Sequence, residues 1–436
     1  MTGDARRKYL LGLSVLLLAV ALGLALIGPR APAGPLLISG LAALAVSLMG
    51  HPTLNSYAFT VWVFAFVAAS MLYPAAFRVW FGRDLKVLIV PLIQVITFGM
   101  GTTLKPRDFR RVFAMPWPIL ISLALHFTIM PLVGFSIALT FGFDPEVAAG
   151  IILIGSVSSG VASNVMTYLA RGNVPLAVSI TTCSTLLSPL ATPFCMKVLA
   201  GRFIQVDFVS MMLSIFNMII VPIIAGLVAH QILYGRKQWA GRKRSLTVIS
   251  ALSWGLAVLT WFVPSAWWGH MSVFKSGLFM GFLLIGAVGL AKLVVRGFFH
   301  GPENWMDKTL PLVSMASICL IIAVITAQSR DQLLSVGLVL ILAAMIHNGT
   351  GYFLGYWGAR LARLDESSCR AVAMEVGMQN GGMASGLAID VLKSTSAALA
   401  PAIFGPWMNI SGSVLASWWR RRPVKPAPSI TLERTA

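Results

Sequence analysis

Apolar segments of about twenty residues, separated by short polar loops, follow one another along almost the whole chain. A segment of this length can cross the hydrocarbon core of a bilayer as an α-helix. Two segments carry glycines and polar residues in their middle, which predicts broken helices. The pattern therefore predicts an all-α polytopic membrane protein. Fourteen spans are expected, at 9–28, 34–50, 57–77, 87–104, 117–141, 146–171 (broken), 173–199, 208–234, 247–265, 273–296, 308–328, 334–361, 367–390 (broken) and 397–420.

Composition agrees with a membrane protein. Of 436 residues, 57% are hydrophobic and 11% are charged, which excludes an ordinary soluble globular domain. The net charge of +19 is spread over short loops, such as 105–111, and the chain ends. Because loops rich in Lys and Arg stay on the cytoplasmic side, we expect an integral membrane protein with both termini cytoplasmic. The basic residues are not concentrated in one domain or arm, so no nucleic-acid partner is expected. The four cysteines lack metal-ligand spacing and predict neither disulfides nor a zinc site.

The two ends of the chain carry their own signals. The first apolar run, 10–27, follows a basic start and so resembles a secretory signal peptide, but the Gly-Pro-Arg-Ala-Pro sequence after it is a poor cleavage site. We therefore expect a retained helix, with a cleaved signal or plastid transit peptide as the alternative. The Pro-rich polar tail, 422–436, is expected to be disordered and cytoplasmic.

One carboxylate differs from the other acidic residues. Of 14 acidic residues, Glu375 alone is placed well inside a predicted span, where a charge costs about 2.5–3.5 kcal/mol and needs a partner. Gln379 lies four residues on, on the same helical face, and Asn380-Gly381-Gly382 then favours unwinding. Carboxylate, amide and unwound carbonyl oxygens are hard ligands that suit a small cation such as sodium. The alternative is a buried glutamate that only holds helices together.

The chain also resembles itself in two halves. His126, with Gly134 eight residues on, is matched by His347 with Gly355 at the same offset. A broken polar segment follows each histidine at a similar distance. Because an odd number of spans makes up each unit, the second copy must enter the membrane from the opposite side. This predicts an inverted repeat whose discontinuous helices build a site near the bilayer midplane.

The first broken segment offers side-chain oxygens as well as small residues. Ser163 and Asn164 could complete the coordination that Glu375 begins, although small residues alone would indicate only close helix packing. The next span carries a polar run from Thr181 to Thr185. One of these hydroxyls can reach an ion, and the others are expected to bond to their own backbone or to neighbouring helices.

Four motifs stand in order along the chain: Phe98-Gly-Met-Gly-Thr-Thr-Leu-Lys-Pro, Ala162-Ser-Asn-Val-Met-Thr-Tyr-Leu-Ala-Arg-Gly-Asn, Glu375-Val-Gly-Met-Gln-Asn and Asn409-Ile-Ser-Gly-Ser. Together they closely resemble the bile acid:sodium symporter family, especially its bacterial members. The resemblance implies an inverted-repeat ten-helix core with panel and core domains and two crossing discontinuous helices. It also implies sodium-driven uptake of organic anions by alternating access.

About four helices are additional to that core. The implied division is 1–56 for two extra N-terminal helices, 57–200 for the first five-helix repeat, 201–236 for the first helix of the second repeat, 237–305 for an inserted helix pair and 306–421 for the remaining four helices.

The resemblance also implies site residues. One sodium site corresponds to Ser163, Asn164, Thr181 and Glu375. A second corresponds to Glu375 and Gln379 with the backbone carbonyls of Val376 and Met378. The positions that match the substrate cavity are Asn380 and Asn409. Na⁺ is the implied coupling ion, with no other cofactor.

Three positions depart from the family pattern. Ala177 stands where a serine ligand is expected, Val161 replaces a cavity threonine, and His126 stands where a glutamine would contribute to the second sodium site. Imidazole nitrogen is a poor sodium ligand and titrates near neutrality. The sodium stoichiometry is therefore open, and so is proton coupling through His126. A neutral histidine bonded within the core is an equally good interpretation of this residue.

The leading hypothesis is a secondary active symporter for a small organic anion, carboxylate or bile-acid-like. Two further classes compete with it. A membrane enzyme would need a reactive constellation, and the sequence has no HExxH, no GxSxG and no paired aspartates. A non-transporting sensor or receptor could keep the ion site for ligand binding. The sequence identifies neither the substrate nor the oligomeric state.

Overall fold

The computed structural model describes residues 3–27, 30–51, 55–104, 114–235, 242–299, 301–302 and 305–422. Nearly all of these residues are helical. The strands in this part of the chain are Val79–Trp80 and Arg83–Asp84, which form one short antiparallel pair. Ten described helices are long and apolar enough to cross a membrane. The prediction of an all-α polytopic membrane protein is therefore confirmed.

Seventeen helices organise the described chain. They are α1 Gly3–Ile27, α2 Arg30–Met49, α3 Asn55–Leu72, α4 Ile89–Thr103, α5 Pro116–Phe141, α6 Pro145–Ser156, α7 Ala162–Leu169, α8 Val174–Leu199, α9 Phe208–Ile215, α10 Val221–Tyr234, α11 Lys243–Phe262, α12 Lys275–Gly297, α13 Trp305–Gln328, α14 Arg330–Leu361, α15 Glu366–Gly377, α16 Gly381–Asp390 and α17 Thr395–Arg420. A π-helical turn, Phe216–Ile220, joins α9 to α10, and short helical turns lie at 74–77, 85–88, 200–202, 265–268 and 269–274.

Each of the fourteen predicted spans contains a helix. The two spans that were expected to be broken are the pairs α6/α7 and α15/α16. The basic loop at 105–111 and the tail after Arg422 lie outside the described residues. The inverted relation of the two halves and the domain boundaries at 57, 201, 237 and 306 stay predictions.

Both broken helices open into extended backbone at their centres. Helix α6 ends at Ser156, and Val157 follows with a ψ of 169°. Helix α15 ends at Gly377, and Met378 follows with φ −113° and ψ 102°. Gly160 is required in the first opening because a Cβ there would lie 2.8 Å from the Gln379 carbonyl oxygen.

The two openings cross and bond to each other through their main chains. The Gly160 amide donates to the Met378 carbonyl at 2.9 Å, and the Asn380 amide donates to the Ser158 carbonyl at 2.9 Å. Ser159 and Gln379 face each other in this antiparallel bridge. Unwound backbone at membrane depth needs partners within the protein, and the crossing supplies some of them.

Small residues let the broken helices pack closely against their neighbours. A Cβ on Gly150 of α6 would lie 2.1 Å from the Ala397 carbonyl oxygen of α17, and one on Gly155 would lie 2.4 Å from the Met130 carbonyl oxygen of α5. Such contacts are typical of membrane helices, which gain more from close packing than from the hydrophobic effect.

Helices α11 and α12, which were predicted to be an inserted pair, pack against each other, and α12 also packs beside α4 and α10. Asn217 of the π-helical turn connects this pair to the rest of the bundle. Its amide donates to the Ser276 hydroxyl at 2.7 Å, and its Oδ1 accepts from the Gly277 amide at 2.8 Å. The pair is therefore anchored by specific hydrogen bonds as well as by apolar contact.

Candidate functional site

Glu375 lies in the last turn of α15, beside the crossing, and its side chain is fully buried. The carboxylate is held by two hydroxyls from other helices. Ser163 of α7 donates to Oε1, and Thr181 of α8 donates to Oε2 at 2.8 Å. Three residues far apart in the sequence thus meet at one carboxylate.

No basic side chain among the described residues forms an ion pair with Glu375. Two neutral hydroxyls satisfy part of its hydrogen-bonding capacity but do not offset its charge. Burying an ionised carboxylate without a compensating charge is strongly unfavourable. A cation beside Glu375 would therefore stabilise the ionised form of this carboxylate.

Two buried amide oxygens in this region lack donors. Asn164 donates through Nδ2 to the Thr181 hydroxyl at 3.1 Å, while its Oδ1 accepts no hydrogen bond within the described chain. Gln379 donates through Nε2 to the Val376 carbonyl at 2.7 Å, and its Oε1 is likewise without a described donor. Buried polar atoms are normally paired, so orphaned acceptors need an explanation. Asn164, which is linked to Glu375 through the Thr181 hydroxyl, forms with it an oxygen-rich set that fits a hard cation.

The two backbone carbonyls expected to face an ion already have donors. The Val376 carbonyl accepts from Gln379. The Met378 carbonyl accepts from the Gly160 amide at 2.9 Å and from the Ser159 hydroxyl at 3.3 Å. A carbonyl oxygen has two lone pairs, so the Val376 carbonyl has more capacity left for an ion than the Met378 carbonyl.

His126 of α5 lies between the ends of the two broken helices and is fully buried. Its Nε2 is 2.8 Å from the Val157 carbonyl oxygen, and its Nδ1 is 3.2 Å from the Glu375 carbonyl oxygen. A neutral imidazole has one N–H donor, so only a protonated ring could donate to both carbonyls. Ala177, also buried, offers no side-chain ligand.

The predicted substrate residues line a cavity of about 200 Å³ next to the crossing. Asn380 caps α16 by accepting from the Met383 amide at 3.0 Å, and Asn409 donates to the Gly405 carbonyl at 3.0 Å. Val161 and Gln379 also line this cavity. The remaining wall is largely apolar: α3, α4 and α13 form one side, and the two broken helices and α17 form the other.

Two residues that support the site were not predicted from the sequence. The Ser159 hydroxyl lies 3.3 Å from the Ser163 hydroxyl. The Asn348 amide donates to the Gly377 carbonyl at 2.6 Å, which satisfies the end of α15. The sequence carried a signal for both residues, because polar side chains inside an apolar span usually have a partner.

Comparisons with known proteins add a separate line of observation. A model of the sodium bile acid symporter family matches residues 90–273. A Bacillus subtilis (strain 168) protein described as an uncharacterized sodium-dependent transporter is 33% identical over 367 residues, which cover 84% of this chain and 92% of that protein. The ileal sodium/bile acid cotransporter of Homo sapiens is 24% identical over 302 residues, which cover 68% of this chain and 67% of that one. A sodium proton antiporter structure from Methanocaldococcus jannaschii covers 96% of this chain and 98% of its own, with a TM-score of 0.46 and 15% identity.

Proposed function

This chain belongs to the sodium bile acid symporter family, and from that premise we propose that it takes up a small organic anion together with sodium by alternating access. The family consists of transporters, not enzymes, and its relatives support sodium as the coupling ion. The observation that carries the proposal is the buried Glu375 carboxylate, which has two hydroxyl donors and no described basic partner.

In the proposed sodium site, Glu375 supplies the negative charge. Ser163 and Thr181 supply hydroxyl oxygens, and Asn164 supplies its unpaired Oδ1. The Gln379 amide oxygen and the Val376 carbonyl belong to a second position for an ion. A cation in the first position relieves both the uncompensated charge and an orphaned acceptor.

Substrate binding and ion binding share the second broken helix. Gln379 contributes to the ion region and Asn380, the next residue, lines the cavity. The cavity also touches Gly381 and Gly382 in the first turn of α16. The Gly381 amide already donates to the Gln379 carbonyl at 3.0 Å, but the dipole of α16 still favours an anion at its N-terminus, so the substrate carboxylate binds at this turn. A volume of about 200 Å³ favours a small carboxylate over a bile acid.

Uptake into proteoliposomes tests the proposal. We expect wild-type protein to accumulate a radiolabelled small carboxylate under an inward sodium gradient, and to lose this uptake when choline replaces sodium. Glu375→Ala should abolish the sodium-dependent part. Uptake that is indifferent to sodium between pH 6 and 8 would rule out sodium coupling.

A second candidate is proton-coupled transport through His126, because both ring nitrogens face carbonyl oxygens. Under this alternative, an inward proton gradient drives uptake in the absence of sodium, and His126→Gln removes that uptake. If His126→Gln leaves a proton-driven signal unchanged, the residue has no coupling role.

A bacterial inner-membrane location with cytoplasmic termini completes the proposal, and the positions of the basic loops support this orientation of the termini.

A further inference from the structure

A second cavity, of about 740 Å³, lies between the inserted helix pair, the start of α4 and the end of α16. Its polar lining comes from all three walls: Gln94 from α4, Asp390 from α16, and Ser272, Lys275 and Ser276 from the inserted segment. Apolar side chains, among them Trp261 and Phe279 of the inserted helices, complete the wall. We refer to it as the outer cavity.

The hydrogen bonding of Gln94 indicates a missing partner. This side chain is 1% exposed, and its Nε2 makes a long hydrogen bond of 3.4 Å to the Asn217 carbonyl. That contact orients the amide, because the opposite orientation would bring two acceptor oxygens together. Its Oε1 accepts no hydrogen bond from any described residue. A buried acceptor without a donor costs about 1–3 kcal/mol. Gln94 lines the outer cavity, and a small rotation of its side chain would bring this buried oxygen to a ligand there, so a ligand that donates a hydrogen bond would be stabilised.

Lys275 supplies the complementary chemistry. Its Nζ donates to the Val263 carbonyl at 2.8 Å, which uses one of the three N–H donors of an ammonium group. Within the described part of the chain it pairs with no carboxylate, because Asp390 binds the Ser214 hydroxyl and Lys393 instead. The two remaining donors of Lys275 can therefore bind an anionic oxygen of a ligand.

The outer cavity adjoins the cavity at the crossing. Helix α4 contributes Gln94 to the outer cavity and Ile93 to the inner one. A tight contact lies where α4, α16 and the π-helical turn meet. A Cβ on Gly386 would lie 2.4 Å from Ile93 Cδ1 and 2.6 Å from the Met218 sulfur. The side chains of Ile93 and Met218 thus pack tightly against Gly386 beside the inner cavity.

We propose that the outer cavity is a binding site for a small carboxylate that also carries a hydroxyl or amino group. The carboxylate binds the Lys275 ammonium, and the hydroxyl or amino group donates to Gln94 Oε1. The inserted helices thereby add a binding position outside the inner cavity. Its place on a transport route rests on the proposed function, whereas binding itself requires neither sodium nor Glu375.

Matched pairs of carboxylates, which differ by one hydroxyl group, test this site whatever the transported substrate is. Purified protein is kept in choline instead of sodium and is titrated with each member of three pairs. The pairs are acetate/glycolate, propionate/lactate and succinate/malate. The thermal unfolding midpoint reports binding, because a ligand that binds the folded state raises it. In at least one pair, we expect the hydroxylated member to bind about tenfold or more tightly than its parent.

Three variants assign the effect to residues. Lys275→Gln should weaken both members of the pair about tenfold or more, while Lys275→Arg should retain binding. Gln94→Met keeps the length of the side chain and should remove only the preference for the hydroxylated member. A wild-type protein without any such preference, or a Gln94→Met variant that keeps it, would overturn the assignment.

Glu375→Gln separates this site from the transport proposal. We expect this variant to bind the chosen carboxylate in the outer cavity as wild type does, while it loses sodium-driven uptake. Loss of carboxylate binding in Glu375→Gln would show that the titrations had measured the inner site, and would also overturn the assignment. Sodium-independent uptake by wild type, with the preference intact, would count against the transport proposal alone.

Discussion

Replacing Glu375 by glutamine should remove sodium binding while leaving the fold in place. The substitution retains the size of the side chain and one acceptor oxygen but removes the negative charge. The partner hydroxyls of Ser163 and Thr181 can each donate or accept a hydrogen bond, so they can adapt to an amide. The effect of this change should therefore be electrostatic rather than steric.

The size of the effect follows from Coulomb's law. Opposite unit charges about 4 Å apart attract by about 4 kcal/mol at an effective dielectric constant of about 20. Each 1.4 kcal/mol changes a dissociation constant about tenfold. No other described carboxylate lies in this site, so Glu375→Gln should weaken sodium binding about a thousandfold.

A sodium titration measures this loss. The thermal unfolding midpoint is followed as sodium replaces choline at constant ionic strength, and sodium-driven uptake is measured on the same preparations. Asp331→Asn is the matched control, because it also removes one negative charge, from a side chain that is 88% exposed in the first turn of α14. We expect the control to keep the wild-type sodium response.

A folded Glu375→Gln protein whose unfolding midpoint rises with sodium as that of wild type does would refute the electrostatic role of this carboxylate. Equal loss of the sodium response in Asp331→Asn would also contradict it, because a distant surface charge should not affect the ion site.

Three further predictions concern the surroundings of the site. Thr181→Val removes an oxygen ligand and should weaken sodium binding about tenfold. Thr182→Val should not, because its hydroxyl bonds within the described chain to the Val178 carbonyl of its own helix. Sodium titrations of both variants would show this difference. Gly150→Ala would bring a methyl against the Ala397 carbonyl and should destabilise the protein by about 1–3 kcal/mol, measured by thermal unfolding. Asp365→Ala removes the N-cap of α15 and should cost about 0.5–2 kcal/mol at pH 7. Partial burial would raise the pKa of the Asp365 carboxyl, but hydrogen bonds from the two following serines outweigh it and hold that pKa below its ordinary value. This stabilisation is present above the unfolded-state pKa and is lost as pH falls through the lowered folded-state pKa, so stability curves of variant and wild type should converge in acid.

The sequence was sufficient to predict the helices because length and hydropathy decide whether a segment spans a bilayer. It also indicated both breaks, through polar residues and glycines inside apolar runs. Boundaries were less accurate. Helix α3 ends at Leu72, although the apolar run was expected to continue to 77, and α14 begins at Arg330 rather than 334. In a helix that is apolar on most sides, hydrophobicity defines neither the end of the helix nor the face that meets a neighbour.

Helical periodicity alone could not predict which site residues come together. Helical spacing places Gln379 near Glu375, but it cannot bring Ser163 or Thr181 to the same carboxylate, since these lie on other helices. The family resemblance implied that grouping, and the structure places all three side chains in hydrogen-bond contact. The orphaned oxygen of Gln94 could not be predicted, because it depends on which partners the packed helices leave within reach.

The crossed main chains at Ser158–Gly160 and Met378–Asn380 have a mechanical consequence. Their paired amide–carbonyl bonds join four half-helices into one rigid joint, so a displacement of either broken helix is passed directly to the other. In the proposed sodium site, an ion beside Glu375 would add a further link between the two broken helices, which Ser163 and Glu375 already connect. For the alternating access proposed above, we therefore expect the inner cavity to open by sliding of this joined unit against α3, α4 and α13 rather than by hinging at the breaks.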